Sequence, residues 1–157
     1  MREKVKYRMY GLVPYNISPI QQGIQFGHAV VEYSIGRYGS HDDYEQWAKE
    51  DKTFIILDGG TTNDNEERLG SLNKSVRRLE DICIPYATFN EPDLGDQLTA
   101  VVFLVDDRVW DKEKYPEYDL HIDLEGIGEI THYKNLFGGD ATWVLELREF
   151  LSNYRLA

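Results

Sequence analysis

The sequence has a single cysteine and lacks the short motifs by which many enzymes hold a metal ion or a phosphate. Cys83 has no second thiol for an intrachain disulfide, so we expect a reducing compartment. No HExxH or CxxC spacing occurs, and His41, His121 and His132 are scattered, so we expect no metal site. Gly59-Gly60 precedes a polar loop rather than a helix, which argues against a glycine-rich phosphate loop. No motif implies a cofactor.

Long hydrophobic runs are also missing. No apolar stretch approaches the length of a membrane span, and Met1-Arg2-Glu3-Lys4 is not followed by the apolar core of a signal peptide. We therefore expect a cytoplasmic protein without a membrane partner.

Basic residues are scarce relative to acidic ones. The 17 Lys and Arg residues face 28 Asp and Glu residues, a formal net charge of −11. Proteins that grip a polyanion usually carry a basic stripe, because neutralising phosphates drives affinity. The composition argues against a broad phosphate-binding surface but allows a local basic patch. Solubility is the simpler and preferred explanation of the acidic surface. Aromatic residues, in contrast, make up 13% of the chain and include eleven tyrosines, enough rings for a core and for a cleft or an interface.

The first third of the chain predicts a strand followed by a helix. Residues 5–13 have strand composition, and a helix start follows. Ser18 is the expected N-cap, Pro19 occupies the first helical position, and Gln21 lies three residues after the cap. This helix should run to about Ser34, and a shorter helical patch is expected at 43–50.

The rest of the first 106 residues predicts an α/β fold. The run Lys52–Leu57 is continuously apolar and β-branched, which is typical of a strand buried on both faces in the middle of a sheet. A helix at 69–83 should hold Cys83 as a core thiol between two isoleucines. Strands follow at 86–90 and 99–105, joined by a polar turn. We expect a mixed, mostly parallel four-stranded sheet with helices on both faces.

We divide the chain into an α/β domain at 1–106 and a C-terminal extension at 107–157, which packs on the same domain or on a partner. In the extension, 119–124 alternates like an edge strand, and Gly138-Gly139-Asp140 should cap a last helix. That helix carries an apolar stripe that must be buried: Trp143, Val144, Leu147, Phe150, Leu151 and Tyr154. Docking of the stripe on a second copy would give a homodimer.

The first helix combines a polar stripe with an apolar one. At about 100° per residue, the polar side chains that share one narrow face are Gln21, Gln25, His28 and Glu32. The adjoining face should pack on the sheet through Ile20, Ile24, Val31 and Ile35, and Gly23 and Gly27 should let the helix approach a neighbour closely.

The polar stripe is either an ordinary solvated face or part of a site. Glu32 lies four residues after His28, a spacing at which a carboxylate can orient an imidazole and raise its pKa, as for a general base. The alternative is an ordinary surface pair.

The segment Gln25-Phe26-Gly27-His28-Ala29-Val30-Val31 resembles the first helix of the archaeal and eukaryotic type of peptidyl-tRNA hydrolase. In that family a Gln-x-x-His-Ala motif follows a strand and a short loop. Trp47 followed by Lys52–Leu57 resembles the family's tryptophan and lysine-led apolar strand, and the helix at 69–83 and the strand at Thr99 lie where the family places them. The resemblance covers roughly residues 5–106 and implies an ester hydrolase acting on acylated tRNA.

The resemblance leaves the family's charged catalytic residues unmatched. Its lysine near the start of the first helix falls on Gln21, and its Asp-Ala-Gly-x-Thr segment aligns with Phe89–Asp93, where Glu91 and Asp93 lie within one or two positions of the aspartate and threonine. Gln25, His28 and Thr99 match. Losing the lysine removes a cation that could hold a phosphate or stabilise an oxyanion. The Glu-Pro-Asp-Leu segment and the Leu-Thr-Ala strand resemble divergent members of the kind found in phage genomes.

Three functions are compatible with these residues. The one we favour is a binding module with weak or no catalysis, which holds a nucleotide-derived small molecule, such as a signalling nucleotide, or the tRNA acceptor end. Its cleft would be lined by Gln21, Gln25, His28, Glu32, Asn90, Glu91, Asp93 and Thr99.

The second is an esterase on acylated tRNA, in which His28 is the general base, Glu91 or Asp93 replaces the aspartate, and Thr99 keeps its family role. The third is a protein-interaction domain that uses the tyrosine-rich surface and the C-terminal helix.

Overall fold

The structure, a computed structural model, describes residues 4–36, 41–116 and 142–157. The chain divides into two compact units. The sheet unit comprises Lys6–Val105 and Tyr154–Ala157, and the described part of the C-terminal unit comprises residues 4–5, 106–116 and 142–153. The strand expected at 119–124 and the cap expected at 138–140 lie outside the described residues, and where the extension packs stays a prediction.

The described elements follow the predicted alternation of strands and helices. In chain order they are β1 (Tyr7–Pro14), α1 (Pro19–Ile35), α2 (His41–Gln46), a π-helical turn (Trp47–Asp51), β2 (Thr53–Gly60), a 3-10 turn (Glu66–Arg68), α3 (Ser71–Asp81), β3 (Ala87–Glu91), a second 3-10 turn (Pro92–Leu94), β4 (Gln97–Asp106), α4 (Asp107–Trp110) and α5 (Thr142–Ser152). No described helix is both long enough and apolar enough to cross a membrane.

The four strands form one mixed sheet in the order β2-β1-β4-β3. β1 and β2 are parallel, with Met9 opposite Phe54, whereas β3 and β4 are antiparallel, with Ala87 opposite Val102. The expectation of a mostly parallel sheet is therefore wrong. The physical reason is the short connection at 92–96, because only antiparallel neighbours can be joined by so tight a turn.

The apolar run of β2 predicted a strand in the middle of the sheet. This prediction is wrong, because β2 lies at the edge. Phe54 is 54% exposed, and the central strands are β1 and β4. The outer side of β2 is covered by the end of the chain, where the Asp58 amide donates to the Arg155 carbonyl at 2.8 Å and the Ala157 amide donates to the Ile56 carbonyl at 3.0 Å. These bonds blunt an edge that would otherwise be open to another strand.

The helices α1 and α3 pack on opposite faces of the sheet. The Phe26 ring of α1 lies on Gly11, where an added Cβ would stand 2.3 Å from Phe26 Cε2. Leu72 of α3 lies against Gly59, beside Leu12. Because successive strand residues point to opposite faces, Gly11 and Leu12 separate the two helices.

The face of α1 that packs on the sheet is not the one the sequence suggested. Its buried residues are Gln25, Phe26, Ala29 and Tyr33, whereas the aliphatic face expected to be buried is exposed: Ile20, Ile24, Val31 and Ile35. The expected close neighbour of Gly23 and Gly27 is also absent, since an added Cβ at either position would meet nothing within 4 Å in the described part of the chain.

Aromatic packing explains this rotation of α1. Phe54 lies edge-on to both Phe26 and Trp47, at centroid separations of 5.4 and 5.3 Å. Tyr44 continues the cluster by contacting Trp47 at 5.6 Å and Tyr33 at 6.0 Å. Large rings bury more area than isoleucine or valine and gain from edge-to-face contacts, so the aromatic face of α1 takes the core position.

In the C-terminal unit, α5 buries Val144, Leu147 and Phe150, three members of its predicted apolar stripe. The buried side chain of Arg148 from the same helix donates to the carbonyls of Arg108 and Val109, both at 2.8 Å. These charge-assisted bonds tie α5 to α4.

Cys83 is exposed and follows α3, so the prediction of a core thiol within a helix is wrong. The Ile84 amide donates to the Leu79 carbonyl and the Cys83 amide donates to the Glu80 carbonyl, at 3.0 and 3.1 Å, which is the Schellman arrangement of a helix end. Cys83 takes the left-handed position, with φ of 59°. That position favours glycine, because a Cβ there is strained.

We therefore predict that Cys83→Gly stabilises the protein by roughly 0.5–1 kcal/mol, because it relieves the left-handed strain. Urea unfolding in the presence of a reductant measures the change. Cys83→Ala, which removes the thiol but keeps the Cβ, should give no such gain, and equal stabilities for the two variants would contradict the explanation.

Candidate functional site

The candidate site lies where the first half of α1 faces the hairpin formed by β3 and β4. The predicted helix start is confirmed, because the Ser18 hydroxyl accepts a bond from the Gln21 amide at 3.2 Å. The packing of Phe26 on Gly11 turns α1 so that the buried Gln25 points toward β3 and β4. Helix and hairpin together bring Gln21, Gln25, Glu91 and Thr99 into one cluster.

The amide of Gln25 is the centre of this cluster. The side chain is only 2% exposed, and every polar atom of it has a partner. Its Oε1 accepts from the Thr99 hydroxyl at 2.7 Å, and its Nε2 donates to Glu91 Oε2 at 2.8 Å and, more weakly, to Gln21 Oε1 at 3.4 Å. One buried side chain thus links α1 to both strands of the hairpin, and it satisfies the rule that buried polar groups are paired.

The partners fix which way this amide points. An ionised carboxylate only accepts hydrogen bonds, so the NH2 group of Gln25 must face Glu91 and its oxygen must face Thr99. The Thr99 hydroxyl, which is also buried, lies 3.3 Å from the Phe89 carbonyl and is held between two acceptors.

Glu91 presents a carboxylate that favours its ionised form. Hydrogen bonding to Gln25, and then to the Asp93 backbone amide, lowers the pKa of Glu91 below its ordinary value of 4.5, and the charge of His28 adds to the shift. The two protein bonds go to different oxygens, Oε2 from Gln25 and Oε1 from the Asp93 amide. A carboxylate has about four lone-pair positions, so the half-buried Glu91 keeps acceptor capacity toward solvent.

His28 forms the aromatic side of the site. Its imidazole is exposed and stacks on the Phe89 ring at a centroid separation of 4.4 Å and an interplanar angle of 13°. This contact, and not an ion pair with Glu32, sets the ring orientation, since the ion pairs of the described residues include none between these two. Sequence reasoning missed Phe89, although the alternation of β3 puts it on the same face as Glu91.

Three other predicted site residues lie outside this network of side chains. Asn90 donates its side-chain amide to the Asp96 carbonyl at 2.9 Å and so stabilises the hairpin turn. Asp93 contributes its backbone amide to Glu91, and its own side chain is exposed. Glu32 is half-buried one turn beyond His28. Their functional roles stay predictions.

The chemistry of the cluster is that of an anionic acceptor beside an aromatic ring. The position that the resemblance assigns to lysine is held by Gln21, which accepts from Gln25 and brings no charge. Among the described residues, no lysine or arginine contributes to lowering the pKa of Glu91. The same residues contain no group of three or more His, Cys, Asp or Glu side chains placed to bind a metal ion.

Comparison of the sequence with protein-family models and with curated proteins finds no match. We therefore propose a function from the geometry of the site.

We predict that Glu91→Gln changes how stability depends on pH. Because the folded pKa of Glu91 is lowered, its contribution to stability is complete above the unfolded pKa and is lost as pH falls through the folded value. The difference in unfolding free energy between wild type and Glu91→Gln should therefore shrink below pH 4.5. Urea unfolding between about pH 3 and 7 measures it. Asp96→Asn, an exposed change in the same turn, is the matched control, and a difference that does not vary with pH would refute the ionisation of Glu91 as its source.

Proposed function

We propose that the site binds the nucleoside part of a nucleotide-derived ligand, either a small signalling nucleotide or the acceptor end of a tRNA, with weak or no catalysis. The observation that carries this proposal is the ionised Glu91 carboxylate, with unused acceptor capacity, next to the exposed ring of His28. A ribose diol offers two hydroxyl donors to such a carboxylate, and a base can stack on an aromatic side chain. The setting we propose is the cytoplasm.

The same geometry argues against efficient turnover. Ester hydrolysis needs a donor or cation where the oxyanion develops, and removing one such donor typically costs a factor of about 10² to 10³ in rate. Gln21 brings no charge to the place of the lysine, and the Gln25 amide is already bonded to Thr99 and Glu91. We still propose that the cleft derives from the peptidyl-tRNA hydrolase family, and that it binds its ligand with weak or no hydrolysis.

Binding should depend on the ribose diol. By calorimetry, adenosine 5'-monophosphate should bind the wild type, and 2'-deoxyadenosine 5'-monophosphate should bind about tenfold more weakly, because Glu91 then loses one donor. Glu91→Gln should weaken binding of the ribonucleotide by about tenfold or more and reduce the preference for the diol.

Asp96→Asn is again the matched control, since it removes a neighbouring negative charge and keeps the bonds of the Glu91 carboxylate to Gln25 and to the Asp93 amide. It should not weaken binding. If a panel of all four ribonucleotides shows no binding, or if the deoxy analogues bind equally well, the proposal is wrong.

The second candidate function is hydrolysis of the ester of acylated tRNA. One observation favours it: the charge of His28 is close enough to Glu91 to lower its pKa, so an imidazole and a carboxylate border the same cleft and could activate water.

If this function is correct, purified protein cleaves peptidyl-tRNA, and His28→Ala lowers the rate by a factor of about 10² or more, the usual contribution of a general base. His28→Phe keeps an aromatic ring on Phe89 and separates stacking from proton transfer. If His28→Ala cleaves peptidyl-tRNA at the wild-type rate, His28 is not the general base.

A further inference from the structure

The outward face of α1 carries a stripe of exposed aliphatic side chains. Ile20, Ile24, Val31 and Ile35 are 76, 45, 57 and 73% exposed. At about 100° per residue they fall within one narrow sector, on the side of the helix opposite Ala29 and Tyr33, which pack in the core. Branched aliphatic side chains concentrated on one exposed helix face are typical of a surface that another protein covers.

Near the middle of the stripe the helix surface lacks a side chain, because position 27 is glycine. Gly27 lies between Ile24 and Val31 on the helix surface, and Gly23 lies one turn earlier. An added Cβ at either glycine would meet nothing within 4 Å among the described residues. The fold therefore does not require small residues there, whereas a second helix crossing at Gly27 would approach more closely because of them.

We propose that this face is the contact between two copies of the chain, with the two α1 helices antiparallel about a two-fold axis between Gly27 and His28. The spacing of the stripe is self-complementary about that point. Ile20 then faces Ile35 of the second copy, and Ile24 faces Val31 of the second copy. Each aliphatic side chain meets another, which is what an isologous contact requires.

Charge distribution supports a second copy as the occupant. In a chain with a net charge of −11, Glu32 is the one Asp, Glu, Lys or Arg residue within Pro19–Ile35. In the antiparallel register it faces Gly23 of the second copy. The two Glu32 residues are then about 14 Å apart along the helix axis, farther than the screening length of about 10 Å. The two helix dipoles also run in opposite directions.

The size of the stripe sets the strength of the contact. It spans about 22 Å of helix, and a helix is about 10 Å wide, so the area falls below the roughly 800 Å² per partner of a stable complex. The dimer should be weak and reversible, with a Kd of roughly 10 to 500 µM. This inference does not rest on the proposed ligand, because the four aliphatic residues are exposed whereas Gln25 is buried, and sedimentation is measured without nucleotide. His28, next to the two-fold axis, borders both the stripe and the candidate site.

The test is sedimentation equilibrium of the full chain over a range of concentrations. The wild type should self-associate as a monomer–dimer equilibrium. Ile24→Glu and Val31→Lys should each raise the Kd about tenfold or more, since each places a charge in the apolar contact. Both positions are exposed, so the fold should be kept, and circular dichroism checks this.

Combining the two changes tests the register. In the antiparallel contact, Glu at position 24 faces Lys at position 31 of the second copy, so the double variant should recover part of the lost affinity at low salt and lose it again at high salt. Gly27→Leu should weaken the dimer while raising the melting temperature of the monomer, because leucine favours helix and has free space there. Leu94→Glu, which puts the same charge on a similarly exposed residue outside the stripe, should leave the Kd unchanged.

Three results would overturn the proposal. One is a monomer throughout the concentration range. Another is a dimer that Ile24→Glu leaves intact, as expected if α5 formed the contact. The third is a double variant whose loss is simply the sum of the two single losses.

Discussion

The packing of Phe26 on Gly11 is the contact on which the rest of the sheet unit depends. Helix α1 has two apolar faces, and this contact decides which one enters the core, because a side chain at position 11 would occupy the space of the ring. The edge-to-face arrangement with Phe54 and Trp47 holds the same rotation. Once Phe26 is buried, Gln25 must face the hairpin and the isoleucines must face outward.

The candidate site is a consequence of that rotation. Gln25 is buried against Thr99 and Glu91, so its amide has no alternative partners in water and the network is held in one orientation. This leaves the carboxylate of Glu91 ionised at the rim, beside the ring of His28. Such a site is suited to accept hydroxyl donors, and Gln21, which accepts from Gln25, adds no charge to it.

Local signals in the sequence predicted where the helices and strands lie. They did not predict which apolar face of a helix is buried or where a strand lies in the sheet. The cap at Ser18 and the strand and helix order follow from residue chemistry, and helical spacing places Gln21 and Gln25 on one face of α1. Two apolar faces on α1 could not be ranked without knowing that Gly11 leaves room for a ring. The apolar run of β2 looked like a central strand because the chain's own last residues cover its edge.

The central claim is that Gln25 donates to an ionised Glu91, and a pH titration of the Gln25 side-chain amide by NMR tests it most directly. We expect the NH2 resonances to exchange slowly with water and to shift with a midpoint below 4.5, following Glu91. Rapidly exchanging resonances that do not respond to pH, or a midpoint above 4.5, would contradict the geometry from which the proposed function is drawn.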